Sequence, residues 1–316
     1  MDLQTGYTVV IGNHDVLSAL CGSNDDNLRA IENYLGAPVM TRGNELTVAS
    51  SDNDVCRKFQ SLMDLFVTAH AERPLSIEMV NSLLTGAGAE DAQALFDSYI
   101  TIPQSGKRVY PKTVKQAELI SRLRDHDILF CLGPAGTGKT FIAIAEALRS
   151  ALSREVRKIV LTRPVVEAGE SLGFLPGDLE QKIDPYLKPL QDAMECLLTP
   201  EIQRKMEESG MIEIAPLAYM RGRSLHNSVI LLDEAQNTTR EQMRMFLTRL
   251  GEGSRAIITG DPTQIDLPRK SESGLLDAVR VLRNIPEIAI LSFDSKDVVR
   301  NPLVKKIVQA YEQENP

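Results

Sequence analysis

The spacing of apolar and polar positions divides this chain into two regimes. The first hundred residues carry short, mixed patterns. Tyr7 to Ile11 alternates as a half-buried strand does. Ser23-Asn24-Asp25-Asp26 supplies N-cap chemistry for a helix over Asn27–Leu35, with Leu28, Ile31 and Leu35 on one face and Gly36 as its stop. PVMTRGNELTV places two apolar runs around Arg42-Gly43-Asn44, a hairpin signal. A second helix starts at Ser50–Asp54, with Val55, Phe59, Leu62, Phe66 and Ala69 at helical spacing, and a third is expected over Ser76–Leu84.

The remainder alternates near-continuous apolar runs with amphipathic stretches. The runs are Ile128–Leu132, Lys158–Thr162, Ile212–Ala215, Val229–Leu232, Ala256–Thr259 and Ile288–Phe293. The intervening helices are expected over Val114–Arg124, Lys139–Leu152, Leu179–Leu198, Arg240–Leu250, Glu272–Arg283 and Pro302–Glu312. Strands buried on both faces and separated by helices predict an α/β fold with a mostly parallel sheet. The sequence therefore divides into a small α+β domain over 1–101, a linker over 102–110 rich in turn residues (IPQSGKRVY), and a larger domain over 111–316.

Composition narrows the class. Of 316 residues, 43% are hydrophobic and 25% charged, which fits neither a disordered nor a low-complexity chain. The apolar runs are far shorter than the roughly 18 residues that span a membrane. Cys21, Cys56, Cys131 and Cys196 form no CxxC pair, so thiols in a reducing compartment are expected. The four histidines are equally isolated, and no zinc site arises from local spacing. The N-terminus lacks a basic segment followed by an apolar one, so the expected location is cytoplasmic. The net charge of −8 argues against whole-surface nucleic-acid binding. Residues 1–110 hold 7 basic and 14 acidic side chains, however, leaving 28 and 29 in the rest. The acidity belongs to the first domain.

Three motifs carry the chemistry. GPAGTGKT (Gly133, Pro134, Ala135, Gly136, Thr137, Gly138, Lys139, Thr140) follows an apolar strand and opens a helix. Glycines let successive backbone N–H groups curl around phosphate oxygens, and the helix N-terminus adds positive potential. Lys139 reaches the β and γ phosphates, and Thr140 ligates Mg²⁺. VILLDEAQN (229–237) ends a buried strand in two acids. Asp233 would hold Mg²⁺, and Glu234 would orient or deprotonate the attacking water. AIITGDPTQ (256–264) is a third strand end, where Gln264 would sense the γ-phosphate or the water through its amide dipole. The plainer reading of this third motif is a proline turn with a capping Asp.

In this order, GPAGTGKT, DEAQN and GDPTQ resemble the nucleotide-binding half of superfamily 1 helicases. The stretch 162–194 (TRPVVEAGESLGFLPGDLEQKIDPYLKPLQDAM), with PKTVKQ (111–116) and DVVRNPLVKKIVQAY (297–311), resembles more narrowly the PhoH family of phosphate-starvation-inducible ATPases. That resemblance implies a single RecA-like P-loop NTPase core using ATP and Mg²⁺. It also implies action on RNA or single-stranded nucleic acid, in a homo-oligomeric ring of hexamer type, with Gln116 against the adenine edge. It further implies a KH-like first domain. Here the clamp position reads Gly22-Ser23-Asn24-Asp25 followed by Asp26, which puts acid where a KH loop grips phosphates.

About 206 residues hold only one such lobe, so the arginine that neutralises transition-state charge must come from it or from a neighbouring subunit. Candidates are Arg300, Arg163, Arg221 and Arg223, with Arg300 favoured because it follows the last strand. For each, a surface or ion-pairing role is the plainer reading. Nucleic-acid contacts are expected from Arg163-Pro164, from Glu167–Leu175 and from Tyr219–Arg223 (YMRGR). The reaction expected is ATP hydrolysis in RNA metabolism, with helicase or translocase activity as one form of it. The alternatives are a nucleotide-switched RNA-binding or ribosome-associated assembly factor with little turnover, and a P-loop kinase, which the Asp-Glu pair disfavours.

Overall fold

A computed structural model describes residues 6–72, 80, 83–84, 95, 97–165, 179–269 and 272–299. Arg300, the helix expected over 302–312, Glu167–Leu175 and most of the helix expected over 76–84 lie outside them. The chain forms two compact units, one of residues 1–97 with 112–114, the other of residues 98–111 with 115–316. All four cysteines are free thiols. No helix among the described residues is long and apolar enough to cross a membrane.

The first unit runs β1 (Tyr7–Val10), α1 (His14–Cys21), α2 (Asp26–Leu35), β2 (Val39–Arg42), β3 (Glu45–Val48) and α3 (Asn53–Glu72). Its sheet is antiparallel in the order β1-β3-β2, with Tyr7 opposite Val48 and Arg42 opposite Glu45. Leu28, Ile31 and Leu35 are buried as expected, and the Gly36 N–H caps Glu32. Helix α1 is an addition to the sequence reading. It has eight residues and buries only Val16 and Leu20, too few for a period to register, although its Asn13 side chain accepts from the Asp15 N–H as an N-cap does. In the turn to α2, Asn24 and Asp25 adopt left-handed backbone at φ 54° and 61°.

The second unit begins where the sequence reading placed a linker. β4 (Ile100–Thr101) and β5 (Arg108–Val109) pair as an antiparallel hairpin. Ile100, Ile102 and Val109 are buried in the same core cluster as Leu148 and Leu129. Pro103, Ser105 and Gly106 belong to the hairpin turn, so 102–110 is an integral part of this unit. The turn residues were legible; the three apolar residues flanking them decide the outcome.

There follow α4 (Val114–Asp125), β6 (Ile128–Leu132), α5 (Lys139–Leu152), β7 (Lys158–Arg163), α6 (Leu179–Leu197), α7 (Pro200–Glu208), β8 (Ile212–Pro216), β9 (Ser228–Leu232), α8 (Arg240–Leu247), β10 (Arg255–Gly260), α9 (Gly274–Leu282) and β11 (Ile288–Ser292). Helix α7 was not anticipated, despite Thr199 as N-cap and Pro200 at its first position. The six strands from β6 on form one parallel sheet in the order β11-β6-β10-β9-β7-β8.

Successive residues of each strand serve opposite faces. Leu129 and Cys131 join α4, α5 and α6 in one core. Phe130 and Leu132 join α8 and α9 in the other. Truncating Phe130 or Phe246, both fully buried, to Ala costs about 3–5 kcal/mol by cavity formation. Burial also pushes the Cys131 thiol up to about 12, so it is packing rather than chemistry. Because the sheet is parallel, the C-terminal ends of β6, β7, β9 and β10 meet along one edge, and all three motifs start there.

Candidate active site

The phosphate loop leaves β6 at Gly133, whose N–H bonds the Gly260 carbonyl at the end of β10. Gly133 has φ 138°, and a Cβ there would lie 2.6 Å from the Phe293 carbonyl oxygen, so only glycine fits. The loop's far side is held by the Val299 N–H on the Gly136 carbonyl, at 2.8 Å. Beneath it, Gln116 of α4 donates from Nε2 to the Thr137 carbonyl at 2.9 Å. Gln116 is buried and does not line the cavity described below.

Lys139 opens α5 and is buried. Its Nζ donates to the Gly133 and Pro134 carbonyls at 2.7 and 2.8 Å and to Thr137 Oγ1 at 3.2 Å. Burial lowers the pKa of its ammonium, while Asp261 and Asp233 pull it back up. Thr140 Oγ1 donates to Asp233 Oδ1 at 2.7 Å, and Thr259 Oγ1 donates to the same oxygen at 2.6 Å. Thr140 and Asp233 thus present a hydroxyl and a carboxylate side by side, the hard oxygen pair that Mg²⁺ takes alongside substrate phosphates.

Glu234 follows Asp233 with left-handed backbone, φ 52° and ψ 38°. A non-glycine residue held there costs about 1–3 kcal/mol and marks a site that the surroundings over-determine. Its two oxygens have separate partners. Arg163 Nη2 donates to Oε1 at 2.8 Å, and Gln236 Nε2 donates to Oε2 at 2.6 Å. Arg163 Nη2 also lies 3.3 Å from Asp233 Oδ2, and its Nη1 donates to the Tyr186 carbonyl of α6 at 3.0 Å. Gln236 is almost wholly buried. It donates to the Gln264 carbonyl at 3.1 Å and accepts the Asp261 N–H at 3.0 Å, so one amide ties the second motif to the third. Asp261 caps its proline turn, as the plainer reading of the third motif has it, and also lines the cavity described below. Its Oδ1 accepts from Thr263, while its buried Oδ2 has no partner among the described residues.

These groups surround a cavity of about 320 Å³, the size of a small-ligand site. Lys139, Thr140, Asp233, Glu234, Gln264, Ala135, Gly136 and Gly138 line it, whereas Gly133, Pro134 and Thr137 of the loop do not. Arg163, Asp261, Phe141, Pro189 and Ala193 line it too. Of the described arginine candidates, Arg163, Arg221 and Arg223, Arg163 is the one placed here. Arg223 makes a two-pronged pair with Glu213 and is therefore not a free cation. Arg221 is exposed beside Tyr219, which is 52% exposed. The sequence signals Gln236 only by its place two residues after Glu234, one of its partners; the others, Asp261 and Gln264, come from a loop 25 to 28 residues later.

A glycine-rich loop between a parallel strand and a helix, with an acid pair two strands away in the sheet, defines a P-loop NTPase. The family described as "PhoH-like protein" matches residues 108–312. A PhoH-like protein of Mycobacterium tuberculosis is 47% identical over 300 residues, covering 94% of this chain and 85% of that one. A PhoH-like protein of Bacillus subtilis is 43% identical over 306 residues, with 96% of each chain covered. Protein PhoH of Escherichia coli is 36% identical over 291 residues, covering 89% and 77%. This chain belongs to the PhoH-like family. Among solved structures, the Pif1 helicase of Candida albicans aligns with 62% of this chain and 42% of its own at 16% identity and a TM-score of 0.32, a likeness too low to build on.

Proposed function

We propose that this protein is a Mg²⁺-dependent ATP hydrolase acting in RNA metabolism as a homo-oligomeric ring. The observation that carries the hydrolase reading is the convergence of Lys139, the Thr140–Asp233 pair and Glu234 on one cavity. Lys139 and the loop N–H groups would hold the phosphate tail, and Thr140 with Asp233 would hold the metal. Mg²⁺ would supply neutralisation of the charge on the phosphate tail. Glu234 accepts a proton from water as its oxygen attacks the γ-phosphorus. The bond to the β–γ bridging oxygen breaks, and ADP leaves with the electron pair. Gln264, held to Gln236, reports on the γ-phosphate. Arg163, which lines the cavity, is paired with Glu234 and Asp233 and would have to leave them to meet developing charge, and Arg300 is the candidate from outside the described residues.

The RNA reading rests on family membership and on Tyr219 with Arg221, an exposed ring beside an exposed cation, which suits a single strand. We read the first unit as a KH-like module in assembly rather than in phosphate gripping, because Asp25 ends its α1–α2 turn and Asp26 opens α2. The decisive experiment measures ATP hydrolysis with and without RNA, alongside the mass of the oligomer. RNA-stimulated phosphate release from a ring supports the proposal. Oligomer change on ATP binding without phosphate release would point instead to a nucleotide switch.

A further inference from the structure

One wall of the cavity carries a side chain that the proposed hydrolysis does not use. Phe141 follows Thr140 in the first turn of α5 and lines the cavity. It is 36% exposed, whereas the next residues, Ile142 to Leu148, are buried on every side of the helix. Aromatic residues make up only 5% of the chain, and there is no Trp. A phenylalanine ring partly open to a ligand-sized cavity offers it a flat apolar face. The other apolar lining residues are Ala135 of the loop and Pro189 and Ala193 of α6. The remaining lining is the loop backbone and charged or amide groups suited to a phosphate tail and its metal.

A nucleoside triphosphate has the same two-part chemistry, an anionic tail and an aromatic base. The tail's place is set by Lys139 and Thr140, and Phe141 is the residue immediately beyond them. Gln116, which has an amide that reads a base edge by hydrogen bonding, donates instead to the Thr137 carbonyl and lies outside the lining. What Phe141 presents to a base is a face. We propose that Phe141 is the base-stacking platform of this site, so that the ligand is held at its base end by ring contact and at its phosphate end by the loop. The inference rests on the nucleotide-site reading given above.

The test compares a ligand with a base and one without. ATP and inorganic tripolyphosphate are titrated, with Mg²⁺, against the full chain and its Phe141→Ala, Phe141→Leu and Phe141→Tyr variants. Stacking of one base on an aromatic side chain predicts about tenfold weaker ATP binding in Phe141→Ala and Phe141→Leu. Phe141→Tyr keeps wild-type affinity, and tripolyphosphate binds all four proteins alike. Equal weakening of both ligands would show that Phe141 acts by shaping the loop and would overturn the proposal. Unchanged ATP affinity in Phe141→Ala would overturn it as well. If the wild type bound tripolyphosphate but gained nothing from the base, stacking would fall and the phosphate-site reading would stand. Binding of neither ligand by the wild type would overturn both.

Discussion

At the scale of single residues, the site is built around the two oxygens of Glu234. Arg163 holds one and Gln236 holds the other, on a backbone that would not rest there unaided. Glu234→Gln should therefore bind ATP as the wild type does and hydrolyse it about 100-fold more slowly or worse, measured by single-turnover phosphate release. Wild-type turnover would remove Glu234 from its role. Gln236→Ala leaves the Asp261 N–H and one Glu234 oxygen without their partner, and a drop of about tenfold in kcat with little change in nucleotide affinity is expected. Because both substitutions act through one group, the double variant should be no slower than Glu234→Gln alone; additive losses would show that they act separately. Lys139, Thr140, Asp233 and Glu234 were legible in the sequence because strand, loop and helix are consecutive. The role of Arg163 was not, because Glu234 lies 71 residues away along the chain; nor were the ties of Gln236 to Asp261 and Gln264, 25 and 28 residues on, although its other partner, Glu234, is two residues away.

At the scale of elements, the phosphate loop is shaped by strands that are distant in sequence. Gly133→Ala would set a Cβ against the Phe293 backbone at a φ of 138°. A loss of about 1–3 kcal/mol in unfolding free energy is expected, together with loss of nucleotide binding, by denaturation and titration. Strand β8, at the sheet edge, is fastened by charge. Glu213 pairs with Arg223 at about 2.5 Å and with Lys158 of β7 at 2.6 Å, and these cations hold its carboxyl down at about 2. A folded-state pKa below the unfolded one adds stability above the unfolded value of 4.5 and loses it as pH falls toward about 2. Glu213→Gln should therefore be less stable than wild type at pH 7, and the gap should close near pH 2; a gap independent of pH would refute the assignment. The six parallel strands were readable from their apolar runs. Helix α1 and the β4–β5 hairpin were not, being too short for periodicity to outweigh turn residues.

At the scale of the whole molecule, charge is segregated. Residues 1–110 carry a net −7, and residues 111–316 are nearly neutral with 28 basic side chains. RNA binding should therefore reside in the second unit and fall linearly with log salt, with a slope of about 0.7 per phosphate contacted on a single strand. Affinity unchanged between 50 and 200 mM salt, about the range over which phosphate contacts show themselves, would refute it. Sequence alone gave a split of the chain near residue 101 and two fold classes; the hairpin moved the boundary to 97/98. The order in which the chain is made gives the closure of the phosphate loop a further meaning. The loop occupies residues 133–140, yet Phe293 packs on Gly133 and the Val299 N–H holds Gly136. A chain growing from its N-terminus presents the phosphate-binding sequence more than 150 residues before the backbone that fixes its shape. The nucleotide site is thus assembled late in synthesis, and a truncated product ending before residue 293 would carry the whole loop sequence without the contacts that close it.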